Sequence, residues 1–427
     1  MRPNCYRSVF ITMLALECVT RLHAQRLSIH TLAGSTTPGA TNGFGSNARF
    51  NHPGGVAADS AGNIYVVDTE NSTIRKITAD GYVSTFAGLA GSFGSADGAG
   101  ATARFFGPQG LAADSAGQVF VADTANSTIR KVTAAGVVST FAGVAGLSNS
   151  FDGSGANASF YHPEGLALDA AGNVYVSDTW NHTIRKITPA GVVTTLAGLA
   201  GNFGAADGTN SKARFNRPAG LAVDGSANLY LADSFNHTIR KITPAGNVST
   251  LAGLAGIWGS ADGTNGNARF YLPQGISVAA SGDLFVGDSG NQTVRKVSPI
   301  GTNWVVSTVA GLSGLAGSTN GTGSSARFYF PAGLALDSAG YLYVADMANN
   351  EARTTRVVPP TLQYSLAGNK LILSWPVSSE GFALEQSAVL GPSASWSPAT
   401  NGVFTVADNL VCTNTLTGTA FYRLRLP

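Results

Sequence analysis

Six copies of one unit make up most of the chain. A phenylalanine closes an Ala-Arg-Phe motif (Ala-Ser-Phe in the third copy) at Phe50, Phe105, Phe160, Phe215, Phe270 and Phe328. Prolines keep the same step at Pro53, Pro108, Pro163, Pro218, Pro273 and Pro331. The step is 55 residues four times and 58 the last time, where Thr302-Asn303-Trp304 is expected to widen a turn. A strict period of this length is the mark of a repeat architecture in which each unit buries its faces against its neighbours.

One copy resolves into short β runs. In the third, Gly165 to Asp169, Asn173 to Ser177, Thr183 to Thr188 and Val192 to Leu196 read as strands separated by tight turns. Connections this short permit only antiparallel hairpins. Four strands per unit of this length is the pattern of a propeller blade. The first strands centre on a small residue (Ala57, Ala112, Ala167, Ala222, Ser277 or Ala335) between larger aliphatic ones. That suits the crowded innermost position of a blade between two others. A fourth-strand motif follows copies one to five but not copy six, where the chain runs into Pro359-Pro360. Ser28 to Gly34 carries the missing motif at the other end. The expectation is an all-β fold: a six-bladed β-propeller over residues 26–358 whose N-terminal strand closes the last blade. Closure also hides sheet edges that would otherwise pair with other chains.

The runs Pro-x-Gly-Leu-Ala-x-Asp and Gly-Asn-x-Tyr-Val-x-Asp-Thr-x-Asn-His-Thr-Ile-Arg-Lys resemble the NHL repeat, and the Asn-His pair appears as Asn181-His182 and Asn236-His237. The resemblance implies a six-bladed propeller. It does not imply one function, because similar propellers include protein- and RNA-binding modules, sensor domains and lyases. The Leu-Ala-Gly linker with its Gly-rich loop resembles repeats of secreted bacterial proteins.

The two ends differ from the repeat. Arg2 and Arg7 precede an apolar run from Val9 to Val19, and Leu22-His23-Ala24 ends on a small residue. This reads as a signal peptide over residues 1–24 and predicts a secreted or cell-envelope protein. Its removal would take away Arg2, Arg7, Arg21 and Glu17 and leave the formal charge, +2 for the whole chain, at zero. A neutral chain without a clustered basic face argues against a nucleic-acid partner. Cys5 and Cys18 would also leave, so no intramolecular disulfide of Cys412 is expected. No other stretch is long and apolar enough to be a transmembrane helix. Residues 361–427 carry four further strand-like runs and are expected to form a small β-sandwich-like module.

Several residue columns recur in all six copies. Asp68, Asp123, Asp178, Asp233, Asp288 and Asp346 are paired in sequence with Asn71, Asn126, Asn181, Asn236, Asn291 and Asn349. They are expected to cap their own turns. Arg75, Arg130, Arg185, Arg240, Arg295 and Arg353 are expected to pair with Asp59, Asp114, Asp169, Asp224 and Asp337. Ala279 in that column would leave Arg295 without a partner. Asp97, Asp152, Asp207 and Asp262 precede glycines in the connecting loops and read as turn formers, since one carboxylate per loop is too few for calcium.

A single-site function must sit where the symmetry breaks. Two columns vary: the pair before each proline, and the residue in the turn after the second strand. Alternating strand direction puts both on one rim. The candidate binding residues there are His52, Glu70, Phe106, Tyr161, His162, Trp180, Arg217, Phe235, Tyr271 and Phe330. The leading expectation is a monomeric binding or scaffold propeller that takes a protein or glycan on this rim and needs no cofactor. A second reading is a lyase or hydrolase with an irregular metal or base site from His52 and His162, near Glu70. The three-His symmetry such a site would use fails at Leu272. A third is a surface spacer. No nucleophile elbow, metalloprotease His pair or P-loop is present.

Overall fold

The structure is a computed structural model that describes residues 26–357 and, beyond them, the segments 363–367, 370–376, 383–388, 395–399, 403–406, 409–415 and 420–425. The expected signal peptide lies outside the described residues. The chain divides into two compact units between Arg356 and Val357.

The first unit is a ring of six antiparallel sheets. Blade three shows the plan. Its strands run Pro163–Leu168, Val174–Asp178, Thr183–Ile187 and Val192–Gly198, from the axis outwards. A fifth strand of two residues, Gly153–Ser154, pairs outside the fourth. Every blade has this extra strand, so the blades are five-stranded rather than four-stranded. Two residues are too short to show an alternating pattern, and a 3-10 turn such as Gly155–Asn157 follows each one.

The N-terminal strand closes the ring. Ser28–Gly34 pairs with Glu351–Thr354 of blade six on one side and with Gly321–Thr322 on the other. The longer fifth repeat is spent on strands rather than on a wider turn. Thr293–Ile300 and Asn303–Gly311 form an extended hairpin in which Pro299 sits opposite Trp304.

The cores lie between blades. Ala57, Val67 and Ile74 of blade one pack with Phe105, Leu111 and Val121 of blade two, and equivalent clusters recur around the ring. The inner strands of neighbouring blades meet around the axis. Their approach requires glycine: a Cβ on Gly110 would lie 1.8 Å from the carbonyl oxygen of Glu164, and one on Gly165 2.0 Å from that of Ala219.

The second unit holds a four-stranded and a three-stranded sheet. Leu373 and Cys412 from the first share a small core with Leu384 from the second. Cys412 is buried there, its thiol directed at the Ala399 carbonyl.

Candidate functional site

Each blade is held by one buried ion cluster. In blade three the guanidinium of Arg185 donates to Asp178 at 2.8 Å, to the Ser159 carbonyl at 3.0 Å and to Asp152 at 2.7 Å. It lies over the Phe160 ring, 5.3 Å from its centre. The other Asp178 oxygen accepts the Tyr161 amide at 2.7 Å, and the Asn181 side chain donates to both Asp178 and the Asn149 carbonyl. Burial pushes the Asp178 carboxyl up to about 6, against the pull of Arg185 and these donors.

This cluster corrects three expectations. The Asp68 column does not cap its own turn; it pins the loop that enters the first strand, 17 residues back. The Arg75 column pairs with the Asp68 column, so Arg295 has two carboxylate partners, Asp288 and Asp262. Asp59, Asp114, Asp169, Asp224 and Asp337 instead cap the turn after the first strand, and all but Asp114 also accept a tyrosine hydroxyl, Tyr65 in blade one. The loop carboxylates Asp97, Asp152, Asp207 and Asp262 are second partners of the buried arginines, where Asn42 and Asn320 serve in blades one and six. Sequence spacing could not separate these pairings, because both aspartate columns stand at fixed distances from the arginine.

The rim is built on this frame. In each blade the two variable columns are joined by a backbone hydrogen bond, from Glu70 to Asn51, Ala125 to Phe106, Trp180 to Tyr161, Phe235 to Asn216, Gly290 to Tyr271 and Ala348 to Tyr329. His52, Gly107, His162, Arg217, Leu272 and Phe330 all take a left-handed backbone, with φ between 47° and 61°. The six side-chain positions therefore project alike. A clasp from the preceding blade fixes four of them. The amides of His52, Arg217, Leu272 and Phe330 donate to Asn350, His182, His237 and Gln292, respectively. This is what the Asn-His histidines do. Burial and the Arg217 charge hold the His182 imidazole below its ordinary value, which keeps Nδ1 an acceptor.

The structure gathers five candidates into one ladder across blades three and four. Tyr161 and His162 pack on Trp180, with ring centres 5.3 and 5.0 Å away. The Arg217 guanidinium lies 4.6 Å from the Trp180 ring centre and 4.7 Å from that of Phe235. Phe106 stacks on Phe93, and Tyr271 lies between Trp258 and His237. His52 sits against Asn51, and Glu70 is exposed. Among the described residues no three His, Cys, Asp or Glu side chains gather as a metal-binding group.

Two features escaped the sequence reading. The connecting loops bring exposed apolar side chains to this rim: Phe93, Phe203 and Trp258 at 64–70% exposure, with Leu89, Leu199 and Leu254 beside them. The aromatic two residues after the Leu-Ala-Gly motif was the available signal. The second is the axis. A cavity of about 80 Å³ there is lined by the first strands and by Gln109, Glu164 and Gln274. Burial pushes the Glu164 carboxyl up to about 7, opposed by the charge of Arg217. The residue after each proline varies from copy to copy, which marked this column too.

Fold and rim together define a six-bladed propeller with one face of varied loops on an invariant frame. The NHL repeat family matches at residues 50–77, 105–132, 160–187 and 270–297, so the chain carries NHL repeats. It is 30% identical over 298 residues to human NHL repeat-containing protein 2, covering 61% of this chain and 41% of that protein. It is 29% identical over 283 residues to Protein SUPPRESSOR OF QUENCHING 1, chloroplastic, of Arabidopsis thaliana, covering 62% and 27%. The chain thus spans about two fifths or less of the length of these relatives. Among solved structures, a Bacteroides thetaiotaomicron protein of unknown function superposes with a TM-score of 0.60 at 21% identity, covering 77% of this chain and 75% of that one. A Bacteroides ovatus auxiliary nutrient binding protein superposes at 0.57 with 16% identity, covering 77% and 76%. These two share the fold.

Proposed function

We propose that this propeller is a secreted or cell-envelope binding module that takes a protein or glycan ligand on the rim bearing Trp180, Arg217, Phe235 and His162. The observation that carries the reading is the ladder itself. Aromatic and cationic side chains stack across two blades at positions that the other blades fill differently, on loops held by a rigid frame. Tryptophan, tyrosine and arginine are the residues that most often dominate binding energy at interfaces. The axial cavity is a weaker candidate, because about 80 Å³ holds only about five water molecules.

The scaffold is compatible with such a role, since a propeller of the same fold is described as an auxiliary nutrient binding protein. Export rests on the sequence of residues 1–24. The test is a screen of the purified protein on peptide and glycan arrays, with Trp180→Ala/Phe235→Ala alongside. Ligands bound by the wild type should be lost in the double variant while its melting curve stays cooperative. Equal binding by both proteins would refute the rim as the site.

A further inference from the structure

Arg217 differs from the arginines that build the frame. The six buried arginines each direct both terminal nitrogens at carboxylates, amide oxygens or carbonyls. Arg104, Arg214 and Arg269 staple the carbonyls of their own 3-10 turns. Arg217 does neither. Among the described residues its guanidinium donates no hydrogen bond and closes no ion pair, although its backbone amide is fixed on His182. Trp180 and Phe235 flank it at 4.6 and 4.7 Å. With two rings against its guanidinium carbon, its N–H groups are what remains for a partner. A guanidinium held against two rings loses little further freedom when it binds, and its fork matches a carboxylate with two parallel hydrogen bonds.

The surroundings narrow the partner. Phe203 packs near His182 and is 69% exposed. Leu199, Leu254, Ile257 and Trp258 also stand exposed on the two neighbouring loops, and neither 199–206 nor 254–261 contains a charged residue. Apart from Glu164 on the axial side, Arg217 is a single cation among apolar, uncharged loops, which complements a single anion with apolar flanks. A sugar would need open ring faces and many hydrogen-bonding groups. Here Trp180 is already packed by Arg217 and His162, and Trp258 by Tyr271.

We infer that the blade three–four rim is a recognition site for a peptide segment with one acidic residue flanked by apolar side chains, the carboxylate seated on the edge of Arg217 and the flanks on Phe203, Leu199 and Leu254. The inference rests on the rim being the binding face. Glu164, in the axial column beneath, is the carboxylate whose charge Arg217 feels, and it opposes the incoming anion when ionised.

Two immobilised hexapeptide pools test it. Both carry Leu, Ile, Phe and Trp flanks; one has a central Glu and the other a central Gln. The wild type should be retained at least about tenfold better by the Glu pool, the scale of a charge-assisted pair. Arg217→Ala and Arg217→Gln should lose that preference while still melting cooperatively, and Arg217→Lys should keep part of it. Trp180→Ala/Phe235→Ala should lose retention on both pools. Equal wild-type retention on both pools that still depends on Trp180 and Phe235 would overturn the acidic-peptide inference and leave the rim reading standing. No retention on either pool, or a preference that survives Arg217→Ala, overturns the inference outright. Competition by oligogalacturonate at lower concentration than by a soluble Glu peptide would overturn the peptide assignment in favour of an acidic glycan.

Discussion

Arg185 and Arg217 lie in neighbouring parts of the same ring and do opposite things. Arg185 has no exposed side-chain surface; it lies over one phenylalanine and meets two carboxylates. Arg217 is part-exposed between two aromatic rings and, among the described residues, meets no carboxylate. The first occurs six times and the second once. A residue that every blade repeats answers a need every blade has. A residue found in one blade, at a position where all six backbones take the same conformation, is free to answer something outside the fold.

The largest effect should come from breaking the repeated cluster. Asp178→Ala leaves the Arg185 charge buried with only its outer partner and should cost about 3–5 kcal/mol, read from urea unfolding. Asp233→Ala should cost the same within error, because blade four repeats the arrangement. Unequal costs would mean that the blades are not energetically equivalent.

Glu164 sharpens the contrast on the axial side. Its folded value of about 7 stands above the ordinary 4.5, so the native state holds this proton more tightly than the unfolded chain. Its favourable contribution is full below pH 4.5 and is lost as pH rises through 7. Glu164→Gln should therefore gain on the wild type between pH 5 and pH 8, by on the order of 1–3 kcal/mol at the upper end. A difference that does not change with pH would contradict the burial of this carboxyl.

Arg217→Ala should change stability by no more than about 1–2 kcal/mol, the worth of two partly exposed cation–π contacts. The smallest effect belongs to Asp152→Asn. Its side chain is 50% exposed, and Asn42 and Asn320 already fill its place in two blades, so a thermal melt should move by less than about 1 kcal/mol.

The fold was legible because its signals are local and sixfold. Strand runs, turn residues and the orphan motif at Ser28 to Gly34 sufficed for the ring and its closure. The two-residue outer strands were not, since Gly153–Ser154 is indistinguishable from any loop dipeptide. The ion pairs were misread for a different reason. Asp59 and Asp68 both recur with Arg75, but the register places Asp68 opposite Thr73, two residues from Arg75, while Asp59 sits in the turn after the first strand. The variable rim columns were visible as breaks in the repeat. Their assembly into a ladder was not, because the Trp180–Arg217–Phe235 stack joins residues of two blades through backbone geometry that the sequence does not spell out. Phe203 and Glu164 sat in columns that also vary, hidden by glycine-rich and proline-anchored surroundings that draw attention to turns.

Measuring Arg185→Ala and Arg217→Ala side by side, each for unfolding stability and for the ratio of retention on Glu over Gln peptide pools, tests the separation of frame from site. The expected result is a crossed pattern: Arg185→Ala loses several kcal/mol and, where folded, keeps the Glu preference, while Arg217→Ala loses no more than about 1–2 kcal/mol and loses the preference. Two arginines that fail together in both measurements, or an Arg217→Ala protein that still prefers Glu, would contradict it.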